Sequence, residues 1–280
     1  MDKVNYIGDW NREAHTRATD YILKSNLTSL DEDITIIPDG WIIPFIEGKI
    51  ITSPTSKKIA QFQEPLTISN QKLILRTLLD NYSKFDTILG WHDELFHLPN
   101  FKFKPATEIT QFNTLPELLP VEEFKIHSKS KLLSFITSNK LMTQGHNFRL
   151  QCLQHLHSNL CKFDLYGRGF NPISTKLLGL KDYNFSITIE NGYFKNGYTE
   201  KIIDCFLTGT VPIYYGCPNV ADFYNPKGIL QFNSLEELLY IVNNISESQY
   251  NDMLPYIKEN LEIALDDYQT NNRIYNKFIK

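Results

Sequence analysis

Apolar and polar residues alternate along most of the chain in short runs that predict strands separated by helices. The clearest run is residues 185–189, where apolar and hydroxyl side chains alternate with β-branched character, as is typical of a strand. Thr199 is a suitable N-cap for a following helix with one apolar face, and Gly209 is well placed to end it. Residues 211–215 predict a second strand. The stretch therefore forms one strand–helix–strand unit of the usual length.

The same alternation extends to both halves of the chain. In the N-terminal half the predicted strands are 4–7, 33–37, 58–62, 85–91 and 101–103, and the predicted helices are 12–23 and 69–82. The face of helix 69–82 that we expect to be buried consists of Leu73, Ile74, Leu78 and Leu79. After a linker at 113–130, the predicted strands are 132–136, 163–166 and 228–232, and the helices are 147–157, 219–224, 234–242 and 248–280. This alternation predicts an α/β fold.

Length and charge narrow the functional classes. The 280 residues are enough for two α/β domains, and 42% hydrophobic residues are enough for two cores. A net charge of −4 gives no electrostatic reason to expect nucleic acid or an anionic membrane as partner. The four cysteines are sparse, and no signal peptide or transmembrane run is evident, so we expect a cytoplasmic protein with reduced thiols.

Candidate chemistry is concentrated where the central strand meets the helix. A helix N-terminus at the carboxyl edge of a parallel sheet binds anions, and Lys201 adds a full charge there. Glu200 would repel a phosphate, so it suits a sugar hydroxyl such as ribose. Glu190 and Asn191 end the preceding strand and face the same crevice. Together these residues indicate a nucleotide-sugar, although Glu200 and Lys201 are equally compatible with a solvated first helical turn.

The stretch contains an ordered series of residues: Phe185, Glu190, Asn191, Tyr198, Thr199, Glu200, Lys201, Val211, Pro212 and Gly216. This series resembles the donor-binding signature of the family-10 glycosyltransferases, the α-1,3/1,4-fucosyltransferases, and is more similar to the bacterial members than to the animal ones. Ile189 departs from the pattern, because the family usually has Phe at that position. An earlier series is also similar to the family, at Ser138, Asn139, Arg149, Asp164, Tyr166, Gly167 and Arg168. The resemblance is dense over 131–232 and thinner over 57–100.

The resemblance implies two facing Rossmann-like domains in the GT-B arrangement. We expect an acceptor domain at 1–125, a donor domain at 126–265 and a C-terminal helix at 266–280. The implied reaction is an inverting transfer of L-fucose from GDP-fucose to a glycan hydroxyl, with no metal or other cofactor. The expected donor-binding residues are Ser138, Asn139, Arg149, Tyr166, Gly167, Arg168, Glu190, Asn191, Tyr198, Thr199, Glu200 and Lys201. Among these, Arg168 offers a forked donor for diphosphate oxygens.

Glu64 is the candidate general base of the N-terminal half. It follows an apolar strand and precedes Pro65, so its carboxylate falls at a strand's carboxyl end, where it faces the expected interdomain cleft. The segment AQFQEP is similar to the family's element that carries the proposed base. A turn or capping acid is the alternative interpretation. The family-like segment FDTILGWHDEL offers Trp91, His92 and Asp93 as acceptor contacts, and Asp93 and Glu94 as rival bases.

The acidic triplet at 31–33 precedes its strand rather than following it, so we interpret it as a solvated turn and not as a metal site. Two alternatives to the implied function stay open. Another nucleotide-sugar is compatible with the same residues. A non-catalytic sugar-nucleotide or glycan-binding module is the second alternative. The sequence does not predict an oligomeric state.

Overall fold

The structure is a computed structural model that describes residues 4–6, 34–50, 52, 54–62, 64, 66–67, 70–103, 124–141 and 143–274. The predicted helix at 12–23, the acidic triplet at 31–33 and most of the linker at 113–130 lie outside these ranges. The chain divides into a first unit, residues 1–107 with 269–280, and a second unit, residues 108–268. Among the described helices, none has the length and apolar character needed to cross a membrane.

The first unit is built on a parallel sheet whose described strands follow one another in sequence order. The strands are β1 Val4–Tyr6, β2 Ile34–Pro38, β3 Lys57–Phe62, β4 Thr87–Gly90 and β5 Phe101–Phe103. Its described α-helices are α1 Asp39–Ile46 and α2 Gln71–Asp80. The predicted strands are confirmed, with differences of a few residues at their ends. Helix α1 was not predicted, because its residues are nearly all apolar and include Pro44, so they show no amphipathic stripe.

Helix α2 corrects the predicted buried face. The helix buries Ile74, Leu75 and Leu78 in the core of the first unit, whereas Leu73 is 56% exposed. Leu73 and Ile74 are 100° apart around a helix, so a stripe centred on 74, 75 and 78 leaves residue 73 at its margin. The prediction for Leu73 was therefore wrong.

The second unit contains the larger core and a parallel sheet with a different strand order. Its strands are β6 Lys131–Ile136, β7 Asp164–Tyr166, β8 Tyr183–Ile189, β9 Val211–Tyr215 and β10 Leu230–Gln231. Its helices are α3 Gln144–Ser158, α4 Glu200–Leu207, α5 Leu235–Asn244 and α6 Glu247–Ile274. The predicted unit 185–215 is confirmed, with Thr199 as N-cap of α4 and Gly209 in the left-handed region after it. Helix α6 is continuous across the predicted boundary at 265/266, and the predicted domain limits stay a prediction.

Strand order locates the site in the second unit. The sheet runs β7-β6-β8-β9-β10, so the chain first steps outward from β6 to β7 and then returns to the other side of β6 at β8. Loops leaving the carboxyl ends of β6 and β8 therefore depart toward opposite faces and leave a crevice between them. Ligands of open parallel sheets bind at such a switch point. Residues 137–139 follow β6, and Glu190 and Asn191 follow β8.

Candidate functional site

Two loops meet at the edge beside β6. Thr137 N–H donates to the Tyr166 carbonyl at 2.9 Å, and Asn139 N–H donates to the Arg168 carbonyl at 3.2 Å. Gly167 has a φ of 118°, and a side chain there would collide with the Thr137 carbonyl, so only glycine fits. The pairing places Ser138, Asn139, Gly167 and Arg168 together, and the side chains of Asn139 and Arg168 are exposed. Four of the predicted donor residues are thus grouped at one side of the switch point.

The N-terminus of α3 lies directly against the end of β8. Gly145 N–H donates to the Asn191 carbonyl at 3.1 Å, and a β-carbon on Gly145 would collide with the backbone of Glu190 and Asn191. The helix begins with a reciprocal cap in which His146 N–H donates to Thr143 Oγ1 at 3.2 Å and Thr143 N–H donates to His146 Nδ1 at 3.1 Å. The close approach brings the second turn of α3 to Asn191.

Arg149, in that second turn, is the buried cation of the site. Its side chain donates to Asn191 Oδ1, and the residue is 7% exposed. Its Nε has no hydrogen-bond partner within the described part of the chain. Burial lowers the pKa of Arg149, and the carboxylates of Glu190 and Glu200 partly offset that effect. Because an arginine stays protonated in proteins, the site holds a fixed positive charge with unused donor capacity.

The electrostatic field around α3 is positive. Burial, together with the nearby charges of Arg149, Lys140 and Lys201, lowers the pKa of His146 to about 4. His146 is therefore neutral at neutral pH, as its role as acceptor in the cap requires. Cations near a helix N-terminus add to the helix dipole, and together they favour an anionic ligand.

Glu190 ties the start of α4 to the end of β8. Its carboxylate accepts hydrogen bonds from Thr199 N–H at 3.0 Å and from the Thr199 hydroxyl at 2.7 Å, and it lies 3.2 Å from Lys201 Nζ. Glu190 is only 2% exposed. Lys201 Nζ also donates to Thr199 Oγ1 at 2.9 Å. The structure thus brings Glu190, Thr199 and Lys201 together, with Glu190 buried beneath the N-terminus of the helix.

Two predicted donor residues lie away from this group. The Tyr166 hydroxyl is 2.7 Å from the hydroxyl of Tyr183, the residue that begins β8. Tyr198 is buried and packs its ring against Phe223 and Tyr224, with centroid distances of 4.9 and 5.4 Å. Both side chains support the surrounding structure, and their contact with a donor stays a prediction.

The first unit presents a different set of groups at the carboxyl edge of its sheet. Glu64 is exposed, and its backbone is held on both sides: its N–H donates to Asp39 Oδ2 at 3.4 Å, and its carbonyl lies 3.1 Å from His92 Nε2. Because a carbonyl only accepts hydrogen bonds, His92 must carry a proton on Nε2. Burial lowers the pKa of His92, which favours the neutral imidazole. Asp39 was not predicted. It follows β2, and its hydrogen bond to Glu64, which follows the adjacent strand β3, links the ends of the two strands.

The three predicted acceptor residues differ in exposure. Trp91 and His92 are 3% and 4% exposed and stack on each other with a centroid distance of 3.8 Å. Asp93 is exposed at the start of a short 3-10 helix, Asp93–Leu95. In this conformation Asp93 offers the accessible side chain of the three, and the acceptor role of the segment stays a prediction.

The family of the chain follows from a match that covers most of its second unit and the rest of α6. The model of glycosyltransferase family 10 (fucosyltransferase), C-terminal part, matches residues 126–274, which is more than half of the chain. The chain belongs to this family. The resemblance found in the sequence is therefore confirmed, and the residues of the switch point lie inside the matched range.

Curated relatives match shorter segments of this family-10 chain. An α-(1,3)-fucosyltransferase of Helicobacter pylori is 34% identical over 91 residues, which cover 31% of this chain and 19% of the relative. A putative fucosyltransferase-like protein of Arabidopsis thaliana is 38% identical over 80 residues, covering 28% of this chain and 16% of the relative. The matches thus span less than a fifth of the relatives' length.

Solved structures show the fold. A crystal structure of an α1,3-fucosyltransferase with GDP-fucose has a TM-score of 0.54 and 17% identity, covering 96% of this chain and 89% of that one. The OtsA apo structure has a TM-score of 0.56 and 11% identity, covering 97% and 78%. These neighbours are GT-B glycosyltransferases, so the predicted fold class is confirmed.

Proposed function

We propose that this family-10 protein is an inverting glycosyltransferase that moves L-fucose from GDP-fucose to a hydroxyl of a glycan. The observation that carries the proposal is the group at the switch point of the second unit. There Arg149 and Lys201 stand near the N-termini of α3 and α4, where fixed positive charge and the helix dipoles favour a nucleoside diphosphate. GDP-fucose is the donor named with one structural neighbour, and the family match supports it.

In the proposed reaction the second unit stabilises the leaving group. Arg149, Arg168 and Lys201 bind the diphosphate, whose negative charge grows as the bond to the sugar breaks. Glu200 accepts a hydrogen bond from a ribose hydroxyl. Fixed cations supply the positive charge that a divalent metal supplies in other glycosyltransferases, and we therefore propose that no metal or other cofactor is required.

Glu64 is the proposed general base. A glycan hydroxyl is a poor nucleophile at neutral pH, so its proton must pass to a positioned acceptor as it attacks the sugar. Glu64 supports this role because its carboxylate is exposed at the carboxyl edge of β3 while Asp39 and His92 hold its backbone. Asp93 and Glu94, which are also exposed after β4, are the rival carboxylates.

Calorimetry with GDP, with and without excess EDTA, tests the donor site and its independence of metal. We expect one site per chain with the same affinity in both titrations. Loss of binding in EDTA would contradict the metal-independent mechanism, and absence of GDP binding in both titrations would contradict the choice of donor.

Incubation with GDP-fucose separates an enzyme from a binding module. Glycosyltransferases hydrolyse their donor slowly when water replaces the acceptor, so we expect gradual release of GDP. Binding of GDP-fucose without any release of GDP, in the presence of a panel of glycan acceptors, would support the non-catalytic module. Stronger binding of another nucleotide-sugar would instead change the donor.

A further inference from the structure

Helix α4 carries a second carboxylate that the proposed reaction does not use. Asp204 lies one helical turn after Glu200, so the two acids share a face of the helix, where like charges repel. The Asp204 side chain is 1% exposed, and its Oδ1 has no hydrogen-bond partner within the described ranges. A buried carboxylate is costly unless a cation compensates it.

Lys176 supplies that cation. It begins a short 3-10 helix, Lys176–Gly179, whose N-cap is Thr175. Its Nζ lies 2.8 Å from Asp204 Oδ2 and 3.4 Å from Glu200 Oε1. Lys176 therefore bridges the two acids of α4 from a segment about 25 residues earlier in the chain.

Carboxylate and ammonium groups alternate along the start of α4. Lys201 Nζ is 3.4 Å from the same Oε1 of Glu200 and 3.2 Å from Glu190 Oε2. The series is Asp204, Lys176, Glu200, Lys201, Glu190. Glu200, at its centre, is the acid with a lysine on each side.

The pKa values of the two acids of α4 are shifted in opposite directions. Burial would raise the pKa of Glu200, but Lys201 and Lys176 outweigh it and hold that pKa at about 2. Burial raises the pKa of Asp204 to about 6, with Glu200 adding to the rise and Lys176 opposing it. Glu200 is therefore compensated by two lysines, whereas Lys176 is the lysine that contacts Asp204.

A bound diphosphate changes this balance, because it attracts Lys201 toward its own oxygens. We propose that Lys176 and Asp204 are positioning residues for Glu200: Lys176, anchored by Asp204, holds the Glu200 carboxylate toward the ribose when Lys201 turns to the diphosphate. This proposal rests on the donor site proposed above. It adds to that site two residues that do not touch the donor.

A ligand that lacks the ribose hydroxyls isolates this role. We would measure the affinity of GDP and of 2′,3′-dideoxy-GDP for the wild type, Lys176→Met and Lys176→Arg by calorimetry. Loss of one charged hydrogen bond weakens binding roughly 10-fold or more, so Lys176→Met should weaken GDP about 10-fold. The same variant should bind 2′,3′-dideoxy-GDP within about twofold of wild type, because the contact that Glu200 makes is already absent. Lys176→Arg should retain GDP affinity.

Lys227→Met is the control, since exposed Lys227 lies over the Tyr256 ring in the same unit, with Nζ 5.1 Å from the ring centroid, and should leave both affinities unchanged. An equal loss of both ligands in Lys176→Met would show a general structural role and overturn the proposal. Wild-type affinity for GDP in Lys176→Met would overturn it as well. Failure of the wild type to bind GDP would instead overturn the proposed donor site, and this proposal with it.

Discussion

The two units contain the same kind of sheet but present opposite chemistry at its carboxyl edge. In the first unit the described strands follow sequence order, and the carboxylates of Asp39, Glu64 and Asp93 follow β2, β3 and β4, with His92 beside them. In the second unit the order reverses at β6, and Arg149 and Lys201 stand near the reversal. Acids can accept a proton, whereas cations and helix N-termini stabilise a leaving diphosphate. Both units have a parallel sheet, and the side chains that follow their strands differ in charge.

Two glycines show a difference between the units in backbone packing at the start of a helix. Gly40 and Gly145 are each the second residue of a helix, α1 in the first unit and α3 in the second. A β-carbon on Gly40 meets open space, whereas one on Gly145 collides with the backbone of Glu190 and Asn191. The start of α3 is therefore in close contact with the end of β8, whereas Gly40 of α1 makes no such contact.

The largest expected effect is a loss of turnover, and it comes from a carboxylate at the carboxyl edge of the first unit's sheet. Glu64→Gln removes the proton acceptor but keeps the size of the side chain, so turnover should fall ~10²–10⁴-fold while GDP affinity stays the same. Turnover of the variant with GDP-fucose and acceptor, measured beside calorimetry with GDP, checks both parts. Asp93→Asn and Glu94→Gln are the controls. Near-normal turnover in Glu64→Gln would move the base to Asp93 or Glu94, and a parallel collapse of GDP binding would show that Glu64 is structural.

At the carboxyl edge of the second unit's sheet, Lys201→Ala should weaken GDP binding. A hydrogen bond to a charged group contributes about 1.5–3 kcal/mol, which corresponds to a roughly 10- to 150-fold loss of affinity. Calorimetry on Lys201→Ala gives the loss, with circular dichroism to verify folding. Unchanged affinity in the folded variant would mean that Lys201 only stabilises the N-terminus of α4.

Gly145→Ala and Gly40→Ala should change stability in opposite directions. The Gly145 variant must displace backbone at the end of β8, which costs on the order of 1–3 kcal/mol, and it should also weaken GDP. The Gly40 variant has room for the methyl group and should gain about 0.4–1 kcal/mol through the unfolded chain. Scanning calorimetry on both variants measures the difference. Equal stabilisation of both would contradict the close contact of α3 with β8.

His146 predicts a smaller, pH-dependent effect. Its pKa is about 4 in the fold against 6.5 for the free side chain, so folding favours the neutral form. The resulting stability is fully present above pH 6.5 and is lost as the pH falls toward 4. Thermal unfolding between these pH values should show the loss. His146→Gln keeps a side chain that can complete the cap without titrating, so its melting temperature should vary less; an identical pH profile would refute the assignment.

Local patterns in the sequence predicted the elements that carry the site. Thr199, Gly209 and the alternating strand at 185–189 act within a few residues, so their pattern is legible in the sequence, and the structure confirms them. The family motif also grouped Arg149, Asn191 and Lys201 within the region that the structure places at the switch point.

Contacts between distant segments were not predictable in this way. Lys176 bridges acids 24 and 28 residues away, and Asp39 meets Glu64 across two strands, and neither pair follows a sequence period. His146 and Gly145 gave a weak signal, because a threonine followed three residues later by histidine is an unusual capping pair. Tyr166 and Tyr198 fit the motif, but their surroundings engage them in packing.

Hydrogen exchange of the wild-type protein with and without GDP tests the central claim most directly, because it reports where the nucleotide binds. The donor site of the second unit predicts slower exchange in peptides that cover 137–149 and 189–202, which include the starts of α3 and α4. Peptides that cover 39–46 and 87–103, which contain Asp39 and Asp93 of the first unit, should exchange at the same rate in both samples. Protection confined to the first unit, with no change at 137–149 and 189–202, would contradict the account.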